Sequence, residues 1–323
     1  MSRSAAFKIL RLVVSAGLIV YLVAKLDLAQ VVEHVKGLDA LPLGLAAAAI
    51  FGMILLNSIR WMILLKARGV DLPLGGVLYY CLMGIFFSSF LPTSVGGDLA
   101  RMVAVSNETG RRADAFASVV VERLLGFFVL LPVGLVSIPF VADQLTEWRL
   151  IATVGALTVL IFLGAFLVLL RPVARGLSRL LDPLLNLLGR FRARERLEKA
   201  YEATVSYKGH KGAVYAGLFV SVASRLCWIV GCYLVGKAFS LDLAFTTLLL
   251  VVPVVELVRM IPVSISGIGV REAAFVAMLR QFGIQDSLGF AFAVVVYVIF
   301  FVFALLGGVL YGTKQFAKES RGS

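Results

Sequence analysis

Histidine, cysteine and charge are all scarce in this chain, and each shortage removes a class of function. His34 and His210 are the only histidines in 323 residues. Cys81, Cys227 and Cys232 lie in apolar stretches, with no Cys-x-x-Cys pair among them. Structural metal centres and disulfide frameworks need several such ligands at set spacings. No metal, no cofactor and no disulfide is therefore expected. Charged residues make up only 15% of the chain, against roughly 25% in soluble domains. That is too few to cover a surface facing water.

What is present is apolar. Hydrophobic residues account for 60% and the mean hydropathy is +0.97. Six runs are long enough to cross a bilayer as helices, which takes about 20 residues. They lie near 9–26, 41–67, 113–141, 150–170, 212–240 and 287–311. The first follows Arg3, Lys8 and Arg11 and resembles a signal sequence without a small-residue cleavage site, so it reads as a retained helix. The expected fold is all-α: a polytopic helical membrane protein in one transmembrane domain, 1–323.

The net charge of +12 does not point to nucleic acid, because no basic stripe alternates with exposed aromatics. The cations gather in loops between spans, as the positive-inside rule produces. Segment 171–211 carries Arg171, Arg175, Arg179, Arg190, Arg192, Arg194, Arg196 and Lys199, and the tail adds Lys314, Lys318 and Arg321. This places both termini, the basic segment and the loop holding Arg101, Arg111 and Arg112 in the cytoplasm of a prokaryotic cell, with the chain in its inner membrane. Leu177, Leu180, Leu181, Leu184, Leu185 and Leu188 recur at helical spacing, which fits either interfacial helices or a linker.

Two further apolar stretches, near 75–91 and 243–282, are broken by Pro and Gly. Charge topology makes both re-entrant, the first entering from the cytoplasm and the second from outside. Their breaks resemble each other. Leu91-Pro92-Thr93-Ser94-Val95-Gly96-Gly97-Asp98-Leu99-Ala100-Arg101 aligns with Ile261-Pro262-Val263-Ser264-Ile265-Ser266-Gly267-Ile268-Gly269-Val270-Arg271. Ser, Gly and Arg recur at the same distances from proline. Ser58-Ile59-Arg60-Trp61 and Ser224-Arg225-Leu226-Cys227-Trp228 lie upstream of the two breaks. An inverted internal repeat follows, with halves near 1–145 and 146–323. Such repeats, with interrupted helices meeting at midplane, build many secondary transporters.

Broken backbone cannot face lipid, so the turns must be buried or line a wet cavity. Gly96, Gly97, Gly267 and Gly269 permit close approach, and the helix start after each break favours an anion. Charges inside spans need partners or a function. Arg101, Arg123, Arg259 and Arg271, with Ser94 and Ser264, are the candidate substrate-binding residues, because arginine grips phosphate in a bidentate way. Asp98, Glu122, Glu256, Glu272, Arg60 and Arg225 are the candidate supporting ion pairs. Asp98 with Arg101, and Glu256 with Arg259, have the i, i+3 spacing of one helical face. Glu122 and Arg123 point apart and need separate partners. No catalytic set is apparent, since carboxylates alone lack a tuned base or a metal. Gly267-Ile268-Gly269 lacks the third glycine of a dinucleotide site, and Phe86, Phe87 and Phe90 read as packing or lipid contact.

The phrases 91–101, Val121-Glu122-Arg123 and 261–272 together resemble the lysylphosphatidylglycerol synthase transmembrane family, also described as flippase-like. The resemblance covers nearly the whole chain. It implies movement of an anionic or phosphate-bearing lipid, phospholipid or polyprenyl-phosphate-linked, across the inner membrane. Family members that make lysylphosphatidylglycerol carry a fused soluble aminoacyl-transferase domain. This chain is expected to be the stand-alone form. The alternative reading is a polyprenyl-phosphate-dependent glycosyltransferase or other lipid-modifying enzyme, or a membrane subunit of one. Expected partners are anionic membrane lipids, with a second copy of the chain or a separate cytoplasmic lipid-synthesis enzyme as further readings.

Overall fold

The computed structural model describes residues 28–90, 96–141, 202–260 and 267–319. A short helix α1 (Leu28–Lys36) precedes α2 (Ala40–Ala67). Two shorter helices follow, α3 (Leu74–Phe90) and α4 (Gly96–Thr109), and then α5 (Arg112–Val141). The second part runs α6 (Lys211–Ala238), α7 (Phe245–Met260), α8 (Val270–Arg280) and α9 (Asp286–Glu319). Among the described residues the secondary structure is helical throughout. Within them α2, α5, α6 and α9 are long and apolar enough to cross a membrane. They coincide with the expected spans at 41–67, 113–141, 212–240 and 287–311. The spans expected at 9–26 and 150–170 lie outside the described residues, as does most of the basic segment 171–211. The chain is a multi-pass helical membrane protein.

Small residues set the closest helix contacts, as is usual where lipid supplies no hydrophobic drive between helices. The central pair is α2 on α6. A side chain at Gly231 would meet Ile50 at 2.9 Å and the Ala46 carbonyl at 3.5 Å. The two helices run antiparallel, with their ends fixed on each other. The Asp39 amide donates to the Ala238 carbonyl at one end (3.1 Å). At the other, Arg68 donates to the Ser206 carbonyl (3.0 Å) and the Tyr207 hydroxyl to the Leu64 carbonyl (2.8 Å). Asp39 also caps α2 by accepting the Leu41 amide at 3.0 Å.

Helices α3 and α4 form a hairpin that returns to where α2 ends. Arg111, just beyond α4, donates to the Gly69 carbonyl at 2.6 Å, and the Tyr80 hydroxyl meets Glu108. The arms touch through backbone: any side chain at Gly97 would overlap the Gly84 carbonyl and the Ser88 hydroxyl. The α7/α8 hairpin opens at the opposite end of the α2–α6 pair. There Ser287, at the start of α9, reaches Gln30 of α1 at 3.5 Å, and a side chain at Gly236 would meet Leu243 and Phe292.

One expectation is corrected here. The loop assigned to Arg101 is the helix α4, with Arg101 buried, so the first re-entrant element extends through Thr109. Only Arg111 and Arg112 flank its return. The second element, expected over 243–282, is observed as α7 and α8.

The hairpins exchange partners. Helix α9 packs along α3, and α7 along α5. Gly308 faces the Phe86 ring and Gly134 faces Pro253, where a side chain would stand 3.5 Å away. Phe86, Phe87 and Phe90 pack on one another and on Tyr311 and Phe301 of α9. That is the packing role read for them from the sequence.

Candidate functional site

Ionisable residues inside a membrane domain are costly and so seek partners. Here they form a belt that, among the described residues, falls into two groups, one beside each hairpin. It begins on α6, where the Ser221 hydroxyl accepts from Arg60 of α2 at 3.0 Å. Arg60 also pairs with Glu122 of α5 at 2.9 Å. The other oxygen of Glu122 lies 2.6 Å from Arg101 of α4, an ion contact rather than an aligned hydrogen bond. The Nη2 of Arg101 that makes this contact also donates to Asp98 at 2.9 Å, and its Nε adds a second bond to that oxygen at 3.2 Å. Asp98 then holds Arg123 of α5 at 2.5 and 2.6 Å. The Arg101 guanidinium also stands 4.6 Å over the Trp61 ring, whose indole N–H donates to Ser118 at 2.9 Å. Arg60, Arg101 and Glu122 are buried, whereas the Arg123 side chain is 48% exposed.

The second group lies on the other hairpin. Arg259 pairs with Glu256 of the same helix at 3.0 Å. Gly267, at φ +78°, is packed against the stem of Arg259, and a side chain there would overlap it. Glu272 accepts the Gly269 amide at 2.6 Å, capping α8, and pairs with Arg271. The Arg271 guanidinium stacks 3.9 Å over Tyr297 of α9. Arg259, Arg271 and Glu272 all lie within electrostatic reach of Tyr297. The Nε atoms of Arg60 and Arg271 are buried and find no acceptor among the described residues.

Arg225 of α6 joins the two groups. It lies within electrostatic reach of Glu256 and Arg259 on one side and Arg60 on the other. Expected as a member of a supporting ion pair, it makes none among the described residues. Glu256, the carboxylate that acts on it, pairs instead with Arg259.

The helical pairs Asp98–Arg101 and Glu256–Arg259 form as their spacing predicts, and Glu122 and Arg123 take separate partners. Gly96 and Gly97 are buried at the start of α4, and Gly267 and Gly269 in the turn before α8. Ser94 and Ser264 lie outside the described residues. Ser221, Trp61 and Tyr297 were not singled out from the sequence. Trp61 sits in the Ser-Ile-Arg-Trp phrase, but nothing in the sequence marks Tyr297 or Ser221.

Residues 8–308 match the family model described as the lysylphosphatidylglycerol synthase TM region. The chain belongs to this family. Its membership suggests a membrane lipid-related role. The chain is also similar to a relative named UPF0104 membrane protein, from Methanothermobacter thermautotrophicus. The two are 23% identical over 281 residues, which is 82% of this chain and 83% of the relative. No solved structure matches this member of the family.

Proposed function

We propose that the protein moves a lipid bearing an anionic or phosphate headgroup across the prokaryotic inner membrane. The carrying observation is the charge of the belt. Among the described residues, Arg60, Arg101, Arg123, Arg225, Arg259 and Arg271 face only Asp98, Glu122, Glu256 and Glu272. The arginines outnumber these carboxylates by two; Arg123 and Arg259 are part-exposed, whereas Arg60, Arg101 and Arg271 are buried, where an unmatched charge is expensive. A phosphate supplies the missing negative charge and accepts the spare N–H groups of Arg60 and Arg271. The two hairpins break beside this belt and open at opposite ends of the α2–α6 pair. They would give the headgroup a polar route while its tails stay in lipid.

An inverted repeat supports the same reading. Each half runs long helix, broken hairpin, long helix, and the corresponding helices α2 and α6 are antiparallel neighbours. In this arrangement Arg101 and Arg271 are equivalent: each is buried early in the second arm, stacked on an aromatic ring and paired with a carboxylate. Both termini and the basic segment 171–211 are placed in the cytoplasm by charge alone.

The test is a transbilayer assay in proteoliposomes carrying labelled phospholipids or polyprenyl phosphates. Wild-type protein is expected to move at least one anionic lipid. Arg123→Ala, at the exposed end of the belt, is expected to slow it about tenfold or more, the worth of one charge-assisted contact. Folded wild-type protein that moves no lipid would overturn the proposal.

A further inference from the structure

The two hairpins differ in how their first arms are built. Helix α3 contains no proline and is gripped through its backbone on two sides. Its Gly84 carbonyl meets Gly97 of α4, and any side chain at Gly307 of α9 would overlap its Leu82 carbonyl. Helix α7 instead carries Pro253 near its middle. Proline has no N–H to offer the Leu249 carbonyl one turn earlier, and its ring crowds that turn, so the hydrogen-bond ladder is open at this level. The neighbouring helix is weakened at the same place. Pro253 is buried against Gly134 of α5, where a side chain would stand 3.5 Å from the proline ring. Gly134 itself lies between Pro132 and Pro139, both inside α5. Sharp bends in helices fall almost always at such points. Packing also loosens beyond the proline: Val251 to Val255 are all buried, whereas Glu256 to Arg259 are half-buried. The tip half of α7 holds the local pair Glu256–Arg259 and, through the Arg259 stem, the turn at Gly267. Among the described residues no ion pair ties it to α2, α5 or α6.

We propose that Pro253 is the hinge of a gate: the tip half of α7 swings there against Gly134 of α5, while the α3/α4 hairpin stays still. The purpose of the gate rests on the transport reading above; the hinge does not. Met260 lies seven residues past the proline, about 10 Å at 1.5 Å per residue. A bend of about 20° therefore moves the tip by about 4 Å. That exceeds a hydrogen-bond length, so Arg259 and the turn it supports can close on a headgroup or part from it without unfolding a span. Gly134 is the bearing, because the absence of a side chain leaves the ring room to turn.

Two substitutions at one position separate a hinge from a packing residue. Pro253→Ala and Pro253→Gly both remove the ring that lies on Gly134, but only alanine restores a stiff helix, since glycine is itself a weak point. Hydrogen exchange read by mass spectrometry, on purified protein in lipid nanodiscs, reports the hinge directly. In wild type, residues 254–260 are expected to exchange about tenfold faster than residues 84–90, the tip half of α3. Pro253→Ala is expected to slow exchange over 254–260 about tenfold and to melt no lower than wild type. Pro253→Gly is expected to stay within about threefold of the wild-type exchange rate. In proteoliposomes offered labelled phosphatidylglycerol and a labelled polyprenyl phosphate, alanine is expected to slow transport about tenfold and glycine to leave it near wild type. Equal exchange in the two segments, or the same response to alanine and glycine, would overturn the hinge. Slowed exchange with wild-type transport in Pro253→Ala would overturn the gate. Exchange needs no lipid movement, so protein that moves no lipid but shows the expected exchange would sink the transport reading, and the gate with it, while leaving the hinge.

Discussion

On the α3/α4 side, carboxylates tie helices together: Glu122 of α5 receives Arg60 from α2 and Arg101 from α4, and Asp98 of α4 receives Arg123 from α5. On the α7/α8 side, Glu256 and Glu272 serve arginines of their own helices, three and one residues away. The exception is Arg280 with Asp286, at the connection into α9. The first hairpin is thus stitched to two spans by buried charge. Among the described residues the second is tied by an ion pair to α9, through Arg280 and Asp286, and by none to α2 or α6. On the transport reading proposed above, the first hairpin would be the fixed wall and the second the element that adjusts to a headgroup.

The contrast is most strongly broken at Glu122. Glu122→Ala leaves Arg60 and Arg101 buried without their shared carboxylate, a loss of about 3–5 kcal/mol. Thermal unfolding in detergent should show a large drop in melting temperature or no recoverable protein. Next in size is Gly97→Val. The added side chain cannot coexist with the Gly84 carbonyl and the Ser88 hydroxyl, and overpacking of this kind costs about 1–3 kcal/mol. The same melting assay checks it, with Gly75→Val, which meets nothing within 4 Å, as the control. The smallest effect is expected for Glu256→Gln. Arg259 is part-exposed and only one turn away, so the loss should stay below about 1 kcal/mol. If Glu256→Gln proved as damaging as Glu122→Ala, the two sides would not differ as described.

The long spans were legible because runs such as 212–240 and 287–311 are apolar for their full length. Helix α4 was not, and Asp98, Arg101, Ser106, Asn107 and Glu108 explain why. Their polarity reads as a cytoplasmic loop, yet inside the protein Arg101, with Arg60 and Arg123, neutralises Asp98 and Glu122. Local pairs could be read from i, i+3 spacing. Arg60 with Glu122, separated by 62 positions, could not, because only the packing of α2 on α5 brings them together. The same limit hid Tyr297 under Arg271. It also made Arg225 look paired, since a sequence shows that carboxylates exist but not that they are already taken.

Native mass spectrometry of the purified protein tests the central claim most directly, by counting the phospholipids it retains. The belt with its surplus positive charge predicts that wild-type protein keeps an anionic phospholipid. It also predicts that a variant combining Arg123→Ala with Arg259→Gln loses that lipid while remaining folded. Equal retention of anionic lipid by the two proteins would contradict it.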